Sequence, residues 1–457
     1  MRRIVFGSCL LLFVLTAAAE NKTGPLQLAT FVADVTPPIG SPLCFSFIAP
    51  AKQVEEPLTA RGVVLLGPGK PIVLCVADFV VLANESHDAW REALAEAAGT
   101  SPDRVAMHVI HNHDSPGYDR GASRLLDEQD LPDRISRRDV HDQAIADTAA
   151  ALRASLGESR PVTHIGTASA RVEQFASNRR IIGENGKLVL ARMSSCRNEK
   201  AIAEPEGTID PDLDLISFWE NDTPLAVLTF YASHPQSYYG RGGITPDTVG
   251  LARNRRTEET GVFHVHFDGA GGNVAAGKYN DGSPKARARL TDRIHAGMRS
   301  AWESQQKSEL SGEDLSWNVR PTQLPWSGRY TEEQLARELS DPEVDAKTRI
   351  RAARDLVYLR RWQEGKEIDL QCLRLGQSRA LFFPGELFVE YQLAAKKMRP
   401  EQFVTVAAYG DGGPGYIGTE AAYPEGGYEV GRVSRTAPEV EAVLDEAIRD
   451  LLELEQP

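Results

Sequence analysis

The sequence predicts an α/β fold, a single large domain in which mixed β-sheets are flanked by helices and a metal site lies at the ends of strands. Three observations favour this class. Apolar runs of strand length alternate with amphipathic helical segments along the chain. No linker rich in Gly, Ser or Pro divides it. Histidines follow directly after two of the apolar runs. Strands and helices mixed in this way are typical of a domain with mixed sheets.

The first half of the chain alternates strands with helices. Apolar segments predict strands in ARGVVLLG, KPIVLCVADFVVL and RVAMHVIH. SHDAWREALAEAAG predicts a helix with Ser86 or Asp88 as its N-cap and Gly99 as its end. A longer helix is predicted in SRRDVHDQAIADTAAALRASLG. DLDLISFWENDTPLAVLTFYASHP predicts two strands joined by a turn at Asn221 and Asp222.

The second half continues in the same way. GVFHVHFDGAGGN predicts a strand that ends in glycines, and PKARARLTDRIHAGMRSAWES predicts the helix that follows. Residues 330–365 are charged and helical in pattern. IDLQCLRLGQSRALFFPGE predicts a hairpin around Gly376, and APEVEAVLDEAIRDLLELE predicts a final helix.

The N-terminal segment has the pattern of a secretory signal. Arg2 and Arg3 precede an apolar run from Ile4 to Leu15, and small residues follow it up to Ala19. A membrane anchor is the alternative, but this run is short for a span. We therefore expect a signal peptide at residues 1–19, a domain at residues 20–457 without a transmembrane segment, and a secreted or periplasmic location.

Composition excludes some classes of function. The formal net charge of −13 argues against a nucleic-acid partner, because such proteins usually present a basic face. The four cysteines after the signal segment contain no CxxC pair, which argues against a cysteine zinc site and a disulfide scaffold. The oligomeric state is left open by the sequence.

The segment RVAMHVIHNHDSPGYD places His111 and His113 at the end of a predicted strand. Residues two apart share one face of a strand, so these two rings are expected to project together, with His108 on the opposite face. A His-x-His pair at a strand end is a common way to build a catalytic metal site, since neutral imidazole is a good zinc ligand. A purely structural pair is the alternative at this point.

Two other strand ends offer similar groups. LAVLTFYASHP delivers His234 directly before a proline, and RALFFPGELF places Glu386 among apolar residues. An acid in such surroundings needs a cation partner or a raised pKa. Two histidines and a carboxylate at three strand ends match a catalytic zinc site with an open position, although each group alone also has a structural explanation.

At this point the chain resembles the catalytic domain of the neutral/alkaline non-lysosomal ceramidase family. VADVTPPIG is similar to the family's DITPPxG, HNHDSP to HTHSGP, and FDGAGGN to the GAAGD loop. ASHP matches the second histidine block, FPGELF the PGE block, and GYIGTEAAYPEGGYE the closing GYxxTxxxYxxGGYE. All of these motifs occur in the family's order along almost the whole chain after the signal segment.

The resemblance implies one zinc ion per chain and a set of site residues. Its implied metal ligands are His111, His234, Glu386 and Tyr416. Its implied catalytic groups are His113, Arg179 and Tyr428. The implied activity is that of a zinc-dependent amidohydrolase, in which zinc activates water against an acyl amide and these groups stabilise the oxyanion or return a proton to the amine. The implied substrate is a small-molecule or lipid-like acyl amide of the sphingolipid kind.

The chain departs from the family pattern in two places. Asn273 and Ala275 replace an Asp and a Ser of the family's glycine loop, which is followed by the polar segment GKYNDG. That segment lines the pocket or forms a surface turn. The chain given stops at Pro457, where the family continues into an immunoglobulin-like domain. Ceramide itself is therefore in doubt, and two alternatives stay open: a zinc esterase or deacylase acting on a more polar substrate, and an inactive binding protein.

Overall fold

Three β-sheets form the framework of the structure, a computed structural model in which residues 25–131 and 135–454 are described. The predicted signal peptide lies outside the described residues. The first sheet contains, in spatial order, Val105–Val109, Ile72–Ala77, Thr59–Leu66, Gln27–Asp34 and Arg160–Pro161. The second contains Phe263–Asp268, Thr223–Tyr231, Asp212–Glu220, His164–Arg171 and Gln306–Glu309. The third contains Leu315–Thr322, Ile368–Leu375, Ser378–Phe382 and Phe403–Ala407.

Helices cover the outer faces of these sheets. Among the described residues, helices of eight residues or more span Glu85–Ala98, Arg120–Asp127, Arg138–Ser155, Asp247–Thr260, Pro284–Ser304, Glu332–Ser340, Ala346–Gln363, Val389–Met398 and Val440–Leu451. Short strand pairs join Gln53–Val54 to Gly243–Ile244, Val81–Leu82 to Gly117–Tyr118, Ser177–Asn178 to Val274–Ala275, Arg180–Ile182 to Leu188–Ala191, and Glu386–Leu387 to Tyr416–Ile417. No described helix is both long and apolar enough to span a bilayer.

Each large sheet contains the same ββαβ unit. An antiparallel hairpin is followed by a helix and then by a strand that pairs in parallel with the hairpin's second strand. The parallel pairs are Ile72–Ala77 with Val105–Val109, Thr223–Tyr231 with Phe263–Asp268, and Ser378–Phe382 with Phe403–Ala407. The sequence shows no repeat, because the three units share the order of their elements and not their residues.

The carboxyl ends of the parallel pairs are tied to one another by backbone hydrogen bonds. Val109 N donates to Tyr409 O at 3.0 Å, which joins the first sheet to the third. Ala408 N donates to Asp268 O at 2.9 Å, which joins the third sheet to the second. Side chains that follow these strands are therefore brought to one place.

An apolar core lies between the sheets. It contains buried residues of all three, among them Leu74, Phe230 and Phe382. A second cluster packs the outer faces of the first and third sheets against helices, and a third cluster covers the second sheet. These shared cores confirm the predicted α/β class with mixed sheets flanked by helices.

Two local predictions are wrong. The helix begins at Glu85 with Asn84 as its N-cap, and neither Ser86 nor Asp88 caps it. The Ser86 hydroxyl accepts from Arg120 N instead, and the Asp88 carboxylate pairs with Arg361. The strand Val105–Val109 ends two residues before His111, so the alternation of side chains along a strand does not reach His111 and His113.

A fully buried ion pair joins the first sheet to the helix Asp247–Thr260. Arg253 donates to both oxygens of Asp78, at 2.6 and 3.0 Å, and both side chains are inaccessible to solvent. The same helix carries an exposed ion pair between Arg255 and Asp292, at 2.8 Å. The two pairs allow a buried and an exposed interaction to be compared on one helix.

We expect Asp78→Ala to lower the free energy of unfolding by about 3–5 kcal/mol, because it leaves the buried Arg253 charge without a partner. Asp292→Ala, the matched control, should cost at most about 1 kcal/mol, since its pair is exposed. Chemical denaturation of both variants measures the difference. Equal losses would contradict the assigned role of the buried pair.

Candidate metal centre

Three predicted metal-binding side chains meet at the carboxyl ends of the parallel strands. His111 follows Val105–Val109, His234 follows Thr223–Tyr231, and Glu386 follows Ser378–Phe382. Each sheet thus contributes one group. The ligand atoms of His111, His113 and His234 all lie within 4.8 Å of one another, so this cluster could hold a metal ion.

His111 is held by its backbone and by a carbonyl group. Its φ of 52° lies in the left-handed region, which is strained for a residue other than glycine. Backbone strain of this kind is often found at functional sites. Its Nδ1 lies 2.6 Å from Val80 O, so Nδ1 carries the proton and donates it there. The lone pair of Nε2 is therefore free to face the cluster.

His234 is oriented in the same way from the second sheet. Its Nδ1 lies 2.8 Å from Gly271 O, which again places the proton on Nδ1 and the lone pair on Nε2. Burial, helped by the nearby Arg179, lowers the pKa of His234 to about 3. The ring is therefore neutral near physiological pH.

The two lone pairs and a carboxylate oxygen face one another. His111 Nε2 lies 3.1 Å from His234 Nε2, and Glu386 Oε2 lies 3.3 and 3.2 Å from these two nitrogens. The oxygen is buried and makes no hydrogen bond of acceptable geometry. A proton or a metal ion can lie between such acceptors, and the carbonyl partners of both Nδ1 atoms leave the Nε2 lone pairs available for a metal ion. The residues present therefore fit a metal ion.

His113 lies beside the cluster with its proton on the other nitrogen. Gln236 accepts from the Ser194 hydroxyl through Oε1, so its Nε2 donates to His113 Nδ1, at 3.1 Å. This leaves a proton on His113 Nε2, which is buried and has no hydrogen-bond partner among the described residues. The His111 and His113 rings meet edge to face with centroids 4.9 Å apart. In this tautomer His113 presents a hydrogen-bond donor at Nε2, although its ring also belongs to the group of three histidines that could hold a metal ion.

Tyr416 and Arg179 complete the group. The short strand Tyr416–Ile417 pairs in parallel with Glu386–Leu387, which places the tyrosine beside the carboxylate. Its hydroxyl lies 3.3 Å from His234 Nε2 and accepts from Arg179 NH1 at 2.9 Å. Arg179 is buried, and its NH1 also donates to Gly272 O at 3.1 Å. Burial raises the pKa of Tyr416 well above its usual range, and the Arg179 guanidinium group at this oxygen opposes that effect.

Tyr428 lies at the mouth of the site. It is 53% exposed, and its ring meets Tyr416 edge to face with centroids 5.7 Å apart. Both tyrosines line a cavity of about 130 Å³ together with His111, His113 and Glu386. All seven residues predicted from the sequence are therefore brought together.

Several residues of this region were missed by the sequence analysis. Gln236 and Tyr409 orient histidines, the latter by stacking on His111 with centroids 4.7 Å apart. Arg351 and Arg354 line the cavity from the helix Ala346–Gln363. Tyr409 could have been found from the sequence, because it follows the strand Phe403–Ala407 as the site histidines follow theirs. Nothing in the sequence pattern marked the two arginines.

The replaced glycine loop has a structural role. Asn273 Oδ1 accepts from Val389 N at 2.9 Å, and its Nδ2 donates to Glu390 at 2.8 Å, which fixes the start of the helix after Glu386. Ala275 pairs with Ser177 and bridges to His234. The segment GKYNDG does not line the cavity.

The other buried histidines lie in the core. His108 Nδ1 donates to Ala408 O at 2.6 Å, and the ring packs between Phe267 and Phe382. His266 lies between Thr229 and Asp268, and His264 Nδ1 lies 2.8 Å from Val262 O. None of these three histidines belongs to the cluster.

Comparison with known proteins supports the fold. No protein-family model and no curated protein matches the chain. Among solved structures, neutral ceramidase from Pseudomonas aeruginosa superposes with a TM-score of 0.67 at 16% identity, over 95% of this chain and 75% of that one. A structure described as a ceramidase complexed with C2 gives a TM-score of 0.68 at 15% identity, over 94% and 76%. The resemblance to the ceramidase catalytic domain is confirmed at the level of the fold.

We expect His111→Ala and His234→Ala each to abolish stoichiometric zinc binding, because each removes one of the converging lone pairs. His295→Ala is the matched control, since this histidine pairs with Glu259 on another face. Metal analysis of the purified proteins and calorimetric titration with zinc measure the effect. Full zinc occupancy in both cluster variants would refute the site.

Proposed function

We propose that the protein is a zinc-dependent hydrolase that cleaves the amide bond of an acyl amide. The observation that carries this proposal is the convergence of two imidazole lone pairs and a carboxylate oxygen within 3.3 Å of one another in a buried cavity. Zinc prefers nitrogen and oxygen donors of this kind in catalytic sites. The likeness to structures described as ceramidases supports amide hydrolysis as the reaction.

The proposed ligands are those expected from the sequence: His111, His234, Glu386 and Tyr416. Zinc in such a site supplies Lewis acidity, which makes water a nucleophile near neutral pH and polarises a carbonyl group. The carbonyl groups of Val80 and Gly271 keep both imidazoles in the ligating tautomer. We keep His113 outside the ligand set because its Nδ1 is occupied by Gln236.

The remaining residues act on the substrate in this proposal. His113 Nε2–H is a buried donor without a partner, so it is placed to bind the developing oxyanion or to protonate the leaving amine. Arg179 holds the Tyr416 oxygen. Tyr428, at the mouth, is proposed to contact the substrate from the solvent side. Ester hydrolysis uses the same groups and is the second candidate.

Location and processing are part of the proposal. The leader pattern of residues 1–19 supports export, and we propose that the mature domain acts outside the cytoplasm. The proposed function needs no nucleic-acid partner.

Purified protein tests the proposal directly. We expect close to one equivalent of zinc per chain and hydrolysis of N-acyl substrates that stops on chelation and returns with zinc. Less than about half an equivalent would contradict the enzymatic proposal, because a ligand set of this kind should retain its metal. Parallel N-acyl and O-acyl substrates distinguish amidase from esterase.

His113→Ala should keep zinc and lose activity by roughly 10²-fold or more, the scale for removing a positioned proton donor or oxyanion group. Steady-state kinetics and metal analysis are measured on the same preparation, with His295→Ala as the control. Loss of metal in this variant would instead place His113 among the ligands.

Tyr416→Phe removes one oxygen and preserves the ring that stacks on His234. We expect weaker zinc binding and a lower rate. A variant that keeps both its zinc affinity and its rate would contradict the assignment of Tyr416, and the ligand set would then have to include His113.

A further inference from the structure

The cavity at the candidate metal centre has a cationic wall that the proposed hydrolysis does not use. Four arginines line it: Arg351, Arg354, Arg432 and Arg435. The lining carboxylates are Asp355 and Glu386, and Glu386 belongs to the proposed ligand set. The wall therefore carries an excess of positive charge.

Two of the four arginines are neutralised by the protein. Arg435 Nε and NH2 both lie 2.7 Å from Asp355 Oδ1, and Arg432 NH1 donates to Glu338 at 2.8 Å. These ion pairs account for Arg432 and Arg435 as structural groups. The ion pairs of Asp355 are thus made with Arg435 and, at 3.7 Å, with Arg432.

Arg351 and Arg354 have no such partner. No ion pair joins either guanidinium group to a carboxylate of residues 25–131 or 135–454, and the buried Nε of Arg354 makes no hydrogen bond there. The nearby Asp119 accepts from Asn84 and Ala122 instead. Burial, together with Arg435, lowers the pKa of Arg354 to about 10, and the charges of Asp119 and Asp355, neither of which forms an ion pair with this group, offset only part of that effect.

Aromatic rings hold both guanidinium groups in place. Arg354 lies over the ring of Phe45 at 3.8 Å, and Arg351 over the ring of Phe47 at 4.8 Å. Stacking occupies one face of a guanidinium group and leaves its in-plane N–H groups free to donate. The rings come from a turn in which Cys44, Phe45 and Ser46 all have positive φ, between 46° and 61°. Such strain is typical of segments shaped for a ligand.

We propose that this wall binds an anionic group of the substrate, a carboxylate, sulfonate or phosphate, through Arg351 and Arg354. The inference deepens the proposed hydrolysis: the substrate is a small, anionic acyl amide whose carbonyl lies at the metal centre and whose charge lies at the two arginines. A planar guanidinium fork matches such oxyanions in geometry and charge. The cavity of about 130 Å³ is smaller than a typical ligand site, so the part of the substrate that it encloses is short.

A binding experiment that does not depend on hydrolysis tests the arginines. Calorimetric titration compares butanesulfonate with butyl methyl sulfone, which has a similar shape and no charge. In the wild-type protein we expect the sulfonate to bind at least tenfold more tightly. Arg351→Gln and Arg354→Gln should each weaken sulfonate binding by roughly tenfold to hundredfold, the scale for losing a charge-assisted hydrogen bond.

Controls separate this effect from general damage. Arg360→Gln changes an arginine of the same helix that pairs with Glu332 outside the cavity, and it should leave sulfonate binding unchanged. Arg354→Lys keeps the charge and should recover part of the affinity. Binding of the sulfone should be the same in every variant. Equal binding of sulfonate and sulfone, or equal affinities in Arg354→Gln and Arg360→Gln, would overturn the proposal.

Turnover then shows which end of the substrate carries the charge. One pair of substrates differs in charge on the amine side: N-butanoyltaurine is anionic and N-butanoylethanolamine is neutral. The other pair differs in charge on the acyl side: N-methylglutaramate is anionic and N-methylpentanamide is neutral. We expect kcat/KM to favour one anionic member at least tenfold, with the preference lost in Arg354→Gln. Hydrolysis without any charge preference would overturn the inference and leave the proposed function intact. Arginine-dependent sulfonate binding without hydrolysis of any amide would support the anion site and contradict the proposed function.

Discussion

The structure depends on keeping three hydrogen-bond acceptors together in a buried place. His111 Nε2, His234 Nε2 and Glu386 Oε2 lie within 3.3 Å of one another, and the Nδ1 atoms of both rings donate to backbone carbonyl groups elsewhere. Such an arrangement is unfavourable in a protein without a cation, because lone pairs repel and a buried carboxylate loses its hydration. The surrounding fold must therefore hold each group rigidly. The carbonyl groups of Val80 and Gly271 do so by fixing the imidazole tautomers.

The repeated ββαβ units explain how this rigidity is obtained. The carboxyl ends of parallel strands lie at one edge of a sheet, where binding sites of α/β proteins usually form. Three such edges meet here and are joined by backbone hydrogen bonds at Val109 and Ala408. The first unit differs from the others, since its histidine follows the last strand of the unit and takes a left-handed φ of 52°. The backbone strain at His111 is thus the local cost of completing a cluster built from three sheets.

The α/β class and part of the cluster could be predicted from the residue pattern, whereas other residues of the cluster were expected only from the resemblance to a family. His234 and Glu386 follow buried strands, and this position is visible in the apolar pattern. His111 and His113 do share a cavity, but the strand ends at Val109, so backbone geometry beyond the strand brings them together and strand alternation does not. Tyr416 was expected only from the resemblance to a family, because its neighbour Glu386 lies thirty positions earlier in the chain. Arg351 and Arg354 lie in a helix that is rich in charged residues. Composition does not show which of its arginines pair with carboxylates, so these two could not be singled out from the sequence.

The residues proposed for the reaction and the residues proposed for substrate choice lie in different parts of this chain. The proposed metal ligands lie at the ends of the sheets, within a fold that is shared with a solved structure of 16% identity. The cationic wall comes from the helix Ala346–Gln363 and from the strained turn at Cys44–Ser46, which lie outside the three ββαβ units. Neither segment is a strand of the three large sheets. The fold alone does not name the reaction or the substrate. The proposed chemistry rests on the cluster of His111, His234 and Glu386, and the proposed substrate charge rests on the two arginines that have no carboxylate partner among the described residues.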